Sequence, residues 1–332
     1  MKKKWLYISI ILILSISLIL PLVSCKKKEE EPTEPVIPYE YVEGSTILIS
    51  MGLYPQTVSD IDVATIKSGT YDETSGYYTY DGNQYAICEA YPFDVEYTPT
   101  FSNNQSVVVG KEYAFKVEPI IWKILNKNLG DDFYLIYANR VLDTCVYQLQ
   151  ENFKKGTDSF SNYYLLDNDG NLCIEQEYYA NNYEYSALRY TLQQFYNKAF
   201  NEGNKSAIQT VEVNNKNSGH SGPEYNPDHQ NNTQDKVFVL SKAEATNSKY
   251  GFTQEDLYKR YREASDYAIA RGVYYQQRQE VARVAWTWTR TSTTNSNGIY
   301  KINTEGNITE QFISSDSDYK VGYAPAMKVN KR

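Results

Sequence analysis

Three short turns that share the pattern of an acidic residue, Gly and Asn constrain the fold of this 332-residue chain more than any other feature. They are Asp81-Gly-Asn83, Asp169-Gly-Asn171 and Glu305-Gly-Asn307. A glycine after an acidic residue supplies the positive φ angle that a tight hairpin turn requires. The flanking sequences differ, so the turns do not belong to a repeat array. The sequence therefore predicts an antiparallel sheet built from several hairpins.

Two segments whose apolar residues have helical spacing lie between predicted strands. Apolar residues after Ser186 recur at helical intervals and predict a helix that Ser186 caps. A second helix is predicted from Thr253 to Gly272, with Leu257, Tyr261, Ala264 and Ala268 on one face. The fold class is therefore α+β, with small antiparallel sheets and two main helices.

The segment Ala285–Thr291 holds two of the four tryptophans. At the two-residue period of a strand, Trp286, Trp288 and Arg290 point to one face. One interpretation is a core strand in which Arg290 is neutralised by a carboxylate or by backbone carbonyls. The other is a ligand groove lined by the aromatic face and Arg290, with Tyr323 nearby.

The N-terminus predicts the location of the protein. Lys2–Lys4 followed by the apolar run Trp5–Leu20 is typical of a secretory signal. Leu22–Cys25 resembles the lipobox of bacterial lipoproteins, in which cleavage precedes a cysteine that becomes lipidated. The alternatives are a plain transmembrane anchor and a signal peptide with an incidental cysteine.

These features divide the chain into three parts. Residues 1–24 are predicted to be a lipoprotein signal peptide, residues 25–44 a charged, proline-rich tether from lipidated Cys25, and residues 45–332 a single globular domain. Acyl chains on Cys25 would hold the domain at a membrane without spanning it. We expect an extracytoplasmic protein of the bacterial cell envelope, with surface exposure left open.

Composition excludes some functions. The formal charge is −8, and removing residues 1–24 makes it −11. An acidic chain lacks the basic stripe that nucleic-acid binding needs. The 33 tyrosines suit half-exposed strands and polar binding surfaces. Beyond Cys25, the cysteines Cys88, Cys145 and Cys173 permit at most one internal disulfide and have no metal-binding spacing.

Catalytic and metal-binding motifs are sparse. His220 and His229 lie in a polar loop with Glu224 and Asp228, without a regular element to fix them as metal ligands. The turn at Asp167–Asn171 lacks the later residues of a calcium-binding loop. No nucleophile elbow, phosphate loop or dinucleotide motif occurs. We therefore predict no metal and no cofactor, while paired-carboxylate catalysis stays open among 41 acidic residues.

Several stretches occur in a characteristic order along the chain: Gly52–Gln56, Phe115–Leu125, Ser186–Arg189, Phe195-Tyr196, Ala199-Phe200, Asp235–Ser241, Trp288–Thr291 and Gly322–Ala326. Together they resemble an uncharacterised family of bacterial surface and lipoprotein domains of unknown function. The family usually has two adjacent Trp before Leu-Arg-Ser, and Arg where this chain has Ala324. More remotely, the order of helices, Trp-rich strand, hairpin and closing strand is similar to C-type-lectin-like domains.

The resulting hypothesis is a non-catalytic binding module for a glycan or protein ligand. The candidate ligand-binding residues are Trp286, Trp288, Arg290 and Tyr323. One alternative is a surface hydrolase that uses paired carboxylates, which a raised carboxyl pKa in a cleft would favour. Another is a structural envelope lipoprotein, which large exposed apolar patches would favour. An enzyme is the less favoured class.

Overall fold

The computed structural model describes residues 39–93, 98–157, 161–174, 178–216, 230–277, 283–313 and 321–331. The strands are β1 (Glu40–Tyr41), β2 (Leu48–Val58), β3 (Thr70–Asp72), β4 (Tyr77–Tyr80), β5 (Asn83–Glu89), β6 (Glu112–Ile124), β7 (Phe133–Ala138), β8 (Arg140–Val141), β9 (Asp143–Cys145), β10 (Phe153–Lys155), β11 (Tyr163–Leu165), β12 (Val211–Val213), β13 (Thr233–Asp235), β14 (Arg262–Ala264), β15 (Tyr275–Gln276), β16 (Val284–Ala285), β17 (Thr287–Ser292), β18 (Gly298–Ile302), β19 (Ile308–Phe312), β20 (Val321–Tyr323) and β21 (Ala326–Asn330). The α-helices are α1 (Val63–Lys67), α2 (Ala187–Ala199), α3 (Glu202–Ala207), α4 (Lys242–Ala245) and α5 (Asp266–Ala270). Single 3-10 turns lie at Gln150–Asn152, Tyr183–Tyr185, Ser248–Tyr250 and Leu257–Lys259.

An eight-stranded antiparallel sheet is the largest layer. Its order is β1-β2-β6-β5-β4-β3, with β7 between β6 and β21. The long pair β2 and β6 is interrupted by a register shift between Ser50 and Leu53. Gly52 lies in that shift with a φ of 76°, and an added Cβ would come within 2.5 Å of the Phe200 ring. Only glycine therefore fits this position.

The predicted hairpin turns are confirmed. Asp81 and Gly82 both have positive φ and join β4 to β5. Gly306, with a φ of 80°, lies between β18 and β19, which pair antiparallel. The third turn connects an isolated antiparallel bridge between Leu166 and Leu172. In each case the positive φ reverses the chain within a few residues.

Two smaller sheets are mixed in direction and not purely antiparallel. The five-stranded sheet has the order β19-β18-β17-β20-β9, in which β17 and β20 are parallel. The four-stranded sheet has the order β15-β16-β14-β8, in which β14 and β8 are parallel. Hairpin turns specify only antiparallel neighbours, so these long-range parallel contacts were not predicted from the turns.

The first predicted helix is confirmed and the second is wrong. The Ser186 side chain accepts a hydrogen bond from the Arg189 amide at the start of α2. The segment Thr253–Gly272 instead contains a 3-10 turn, strand β14 and the short helix α5. Strand pairing on both sides of β14 overrides the helical spacing there, and Ser265 caps α5 by accepting from the Ala268 amide.

The fold is therefore mixed α+β and rich in sheet. The largest core cluster packs α2 between the eight-stranded and five-stranded sheets. It includes Trp122, Leu192, Phe195, Trp288 and Tyr323. Residues Ile37–Arg332 form one compact unit. Within the described ranges, none of the helices has the length and apolarity to cross a membrane.

Candidate functional site

A cleft of about 590 Å³ opens beside the start of α4. Strand β12 and Asn214 form one side, α4 forms another, and Arg290 and Thr291 of β17 contribute the wall between them. Lys328 of β21 completes the lining. We call this surface the Arg290 cleft. It brings together four segments that are far apart in the sequence, as binding sites commonly do.

Arg290 is almost fully buried, at 2% exposure, and is fixed by several hydrogen bonds. Its Nη1 donates to Glu244 Oε2 at 2.6 Å and to the Val239 carbonyl at 2.7 Å. Its Nη2 donates to Glu244 Oε1 at 3.0 Å. A two-point pair of this kind holds both planes in one orientation. The interpretation of Arg290 as a neutralised core arginine therefore matches its contacts.

The local sequence explains why Glu244 lies at the start of α4, facing Arg290. Ser241 and Glu244 form a capping box, in which Glu244 N donates to Ser241 Oγ and Ser241 N donates to Glu244 Oε2. The Lys242 amide donates to Thr291 Oγ1 at 2.9 Å, which fastens the helix start to β17. The Ser-x-x-Glu spacing is a known helix-start signature, so the sequence contained this signal. The sequence prediction nevertheless missed Glu244.

Electrostatics favour ionisation of this pair. Burial opposes the charge on Glu244, but the charge and hydrogen bonds of Arg290 hold its carboxyl pKa below the usual range. The pKa of Arg290 is raised: burial opposes its charge too, and Glu244 outweighs that cost. The pair therefore stays charged at neutral pH while contributing no net charge to the cleft.

The remaining charged residues of the cleft are mostly basic. Lys216, Lys242 and Lys328 line it, together with Glu212. The Lys242 ammonium lies 3.9 Å from the Tyr300 ring centroid, and that of Lys328 lies 4.2 Å from Phe133. Since Glu244 is neutralised by Arg290, three cations face one acidic side chain. The cleft is therefore suited to an anionic ligand.

Trp288 and Tyr323 lie in the core and away from solvent. Both are at most 4% exposed. Trp288 Nε1 donates to the Cys145 carbonyl at 2.9 Å, and its ring meets Tyr147 edge-on at 5.5 Å. The Tyr323 and Tyr54 hydroxyls are 3.3 Å apart. These contacts favour the core interpretation for both residues.

Trp286 has a different environment. It lies between β16 and β17, is half-buried, and packs against Tyr274 with tilted rings whose centroids are 3.9 Å apart. The Lys301 ammonium contacts the same indole. All six residues of β17 are buried, so the strand has no exposed aromatic face. Of the four candidate residues, only Arg290 lines the cleft.

Asp143 is a buried carboxylate that the sequence did not single out. It accepts hydrogen bonds from the Tyr54 hydroxyl at 2.9 Å and from the Thr144 amide at 2.7 Å. Arg271 Nε lies 3.4 Å away. Burial raises the Asp143 pKa although Arg271 opposes the shift. The groups that shift this pKa are Arg271, Thr144 and Tyr54, and no second carboxylate of the described residues is among them.

Several predicted residues lie outside the described ranges. They are Cys25, His220, Glu224, Asp228 and His229. Within those ranges, no group of three or more His, Cys, Asp and Glu side chains could hold a metal ion. Cys88 and Cys145 are free thiols. Burial raises the pKa of Cys88 to about 12, which leaves it unreactive as a nucleophile at neutral pH.

Comparison with known proteins identifies a family whose function is unknown. No curated protein and no solved structure matches the chain. The sequence profile of DUF6273, described as a domain of unknown function, matches residues 160–331, more than half of the chain. This range contains α2, the Arg290 cleft and the five-stranded sheet except β9, while the resembling segments Gly52–Gln56 and Phe115–Leu125 precede it. The chain therefore belongs to this family of domains of unknown function.

Proposed function

We propose that this protein is a lipid-anchored, extracytoplasmic binding module of the bacterial cell envelope. The support for the anchor is the basic start, the apolar run and the Leu22–Cys25 segment. Two or more acyl chains on Cys25 would anchor it stably, because each buried methylene contributes about 0.8 kcal/mol. The charged, proline-spaced residues after Cys25 would act as the tether.

Binding takes place in the Arg290 cleft and is non-catalytic. The observation that carries this proposal is the basic lining of the cleft around the mutually neutralised pair of buried Arg290 and partly exposed Glu244. A rigid ion pair fixes the wall, while Lys216, Lys242 and Lys328 remain to attract an anion. We assign the ligand to the acidic glycans, since an open polar cleft lined by exposed and partly exposed lysines suits a hydrated, carboxylate-bearing sugar.

The architecture of the domain is proposed to be C-type-lectin-like. The support is the order of elements: helix α2, then the Trp-bearing strand β17, the hairpin β18–β19 and the closing strands β20 and β21. The loops and helix start around the Arg290 cleft would then form its ligand-binding side. A crystal structure whose strands could not be superposed on that architecture would reject this part of the proposal.

A glycan array tests the ligand. We expect the purified full-length protein to retain acidic glycans, and a Lys242→Gln/Lys328→Gln double variant to lose about tenfold or more in affinity. Lys116→Gln is the matched control, because Lys116 is exposed on β6 and lies outside the cleft. Glycan binding that the double variant leaves unchanged would exclude the Arg290 cleft as the binding site. If the protein retains protein ligands and no glycan, the ligand is a protein and the glycan assignment is wrong.

The anchor is tested separately. Mass spectrometry should find acyl chains on Cys25, and Cys25→Ser should move the protein from the membrane fraction to the soluble fraction. A Cys25→Ser protein that stays in the membrane would contradict lipidation as the anchor. The hydrolase alternative has weaker support, since no second carboxylate of the described residues is among the groups that shift the Asp143 pKa.

A further inference from the structure

Arg260 and Arg262 are buried arginines that form no ion pair within the described residues, and Arg262 also lies beside two lysines. Four arginines form ion pairs with carboxylates: Arg189 with Asp235, Arg271 with Asp143, Arg283 with Asp266, and Arg290 with Glu244. Arg262 is 6% exposed, and within the described residues it has no carboxylate partner. A buried charge without a counter-ion is costly, so its retention requires an explanation.

Backbone carbonyls hold Arg262 in place but leave one donor group unused. Its Nε donates to the Ala138 carbonyl at 2.9 Å, and its Nη1 donates to those of Lys259 and Tyr261 at 2.9 and 2.8 Å. Its Cζ lies 4.3 Å from the Tyr137 ring centroid. Nη2 is buried and has no hydrogen-bond partner in the described part of the chain. The guanidinium is thus fixed rigidly with two N–H groups unsatisfied.

Two lysines lie beside this guanidinium. Lys123 of β6 is the register partner of Tyr137, on whose ring Arg262 lies. Burial and the charges of Arg262 and Lys259 lower the pKa of Lys123. Lys259 donates to Asp256 at 2.5 Å, and this carboxylate is the acidic contact of the group. Two lysines, with one acidic neighbour, therefore accompany one rigid cationic donor, which is the arrangement expected of an anion site.

We propose that Arg262, Lys123 and Lys259 form an oxyanion-binding site that takes a phosphate group. Arg262 Nη2 supplies the fixed donor, and the two ammonium groups supply charge from the solvent side. Lys259 is one-third exposed in its side chain, so its ammonium is accessible to an anion from solvent. This site shares no lining residue with the Arg290 cleft and goes beyond the binding function proposed for that cleft.

Calorimetric titration of the full-length protein with inorganic phosphate tests the site. We expect saturable binding at fixed ionic strength and a rise in Tm with phosphate that matched chloride does not produce. Lys123→Gln should weaken binding about tenfold or more, because it removes one charged donor from the site. Lys116→Gln, on the same strand and exposed, should bind phosphate as the native protein does.

A second arm identifies the source of the phosphate. Vesicles of phosphatidylglycerol and of phosphatidylcholine should be compared using the protein with Cys25→Ser, so that acyl anchoring does not contribute. Preference for phosphatidylglycerol that Lys123→Gln removes would assign the phosphate to a lipid headgroup, whereas binding of inorganic phosphate alone would assign a soluble ion. Native protein that binds neither, or a Lys123→Gln variant that binds either one undiminished, would overturn the proposal. Arg262→Lys replaces the fixed guanidinium donor with an ammonium group, and circular dichroism checks that this variant is folded.

Discussion

The Arg290 guanidinium and the Glu244 carboxylate form a two-point ion pair while the same carboxylate closes the capping box of α4. Glu244 therefore has two structural roles: it neutralises a buried cation and caps the start of a helix. Arg290 is 2% exposed in its side chain and Glu244 is 26% exposed. One side chain thus supports both the wall of the cleft and the position of Lys242 on its rim.

Glu244→Ala should destabilise the protein by about 3 kcal/mol, because it leaves Arg290 buried without a counter-ion and removes a helix cap. Urea unfolding followed by circular dichroism measures this loss. The matched control is Glu202→Ala, whose side chain is 90% exposed in its pair with Lys205 and which should cost less than about 1 kcal/mol. If both variants lost the same free energy of unfolding, Glu244 would contribute no more to stability than the exposed Glu202.

The Arg290–Glu244 ion pair should also make the free energy of unfolding depend on pH in the acidic range. The folded carboxyl pKa of Glu244 is below its unfolded value of about 4.5, so the unfolded state binds the proton more readily. The contribution is present above pH 4.5 and is lost as pH falls through the folded value. The unfolding free energy of Glu244→Gln should therefore vary less with pH between about 5 and 3 than that of the native protein. Parallel pH profiles would reject this linkage.

Local signals predicted much of the fold. The turns at Gly82 and Gly306 and the capped helix α2 depend on neighbours in sequence, and all three formed where expected. The second helix failed because β14 gains strand partners on both sides, β16 from downstream and β8 from more than 100 residues upstream. Spacing of apolar residues carries no information about such distant pairing.

The candidate site was predictable only in part. Arg290 was a candidate because it shares a strand face with the two tryptophans, and the carboxylate that the core interpretation requires is Glu244. The two-residue period could not show that both faces of β17 are covered, so it left Trp288 open between a core strand and a ligand groove. The lysines of the cleft come from β21, α4 and the segment after β12, and only the folded chain brings them together.

Trp288→Ala should cost about 3–5 kcal/mol, since it removes a buried indole and the hydrogen bond to the Cys145 carbonyl. Trp286→Ala should cost less, because Trp286 is half-buried and its ring contacts are with Tyr274 and Lys301. Thermal unfolding of the two variants side by side tests the order. If Trp288→Ala were the milder change, the assignment of Trp288 to the core would be wrong.

Lys301 should titrate near neutral pH. It is 4% exposed, its Nζ donates to Gln311 Oε1 at 2.6 Å, and burial lowers its pKa to about 7. In the unfolded chain its pKa is about 10.5, so the unfolded state holds more protons between pH 7 and 10.5, and Lys301 makes stability rise with pH across that window. Because its ammonium contacts the Trp286 ring, tryptophan fluorescence should change with a midpoint near pH 7. Lys301→Met should abolish both effects, and Trp286→Phe should abolish only the fluorescence change. A fluorescence transition that persists in Lys301→Met would assign the titration to another group.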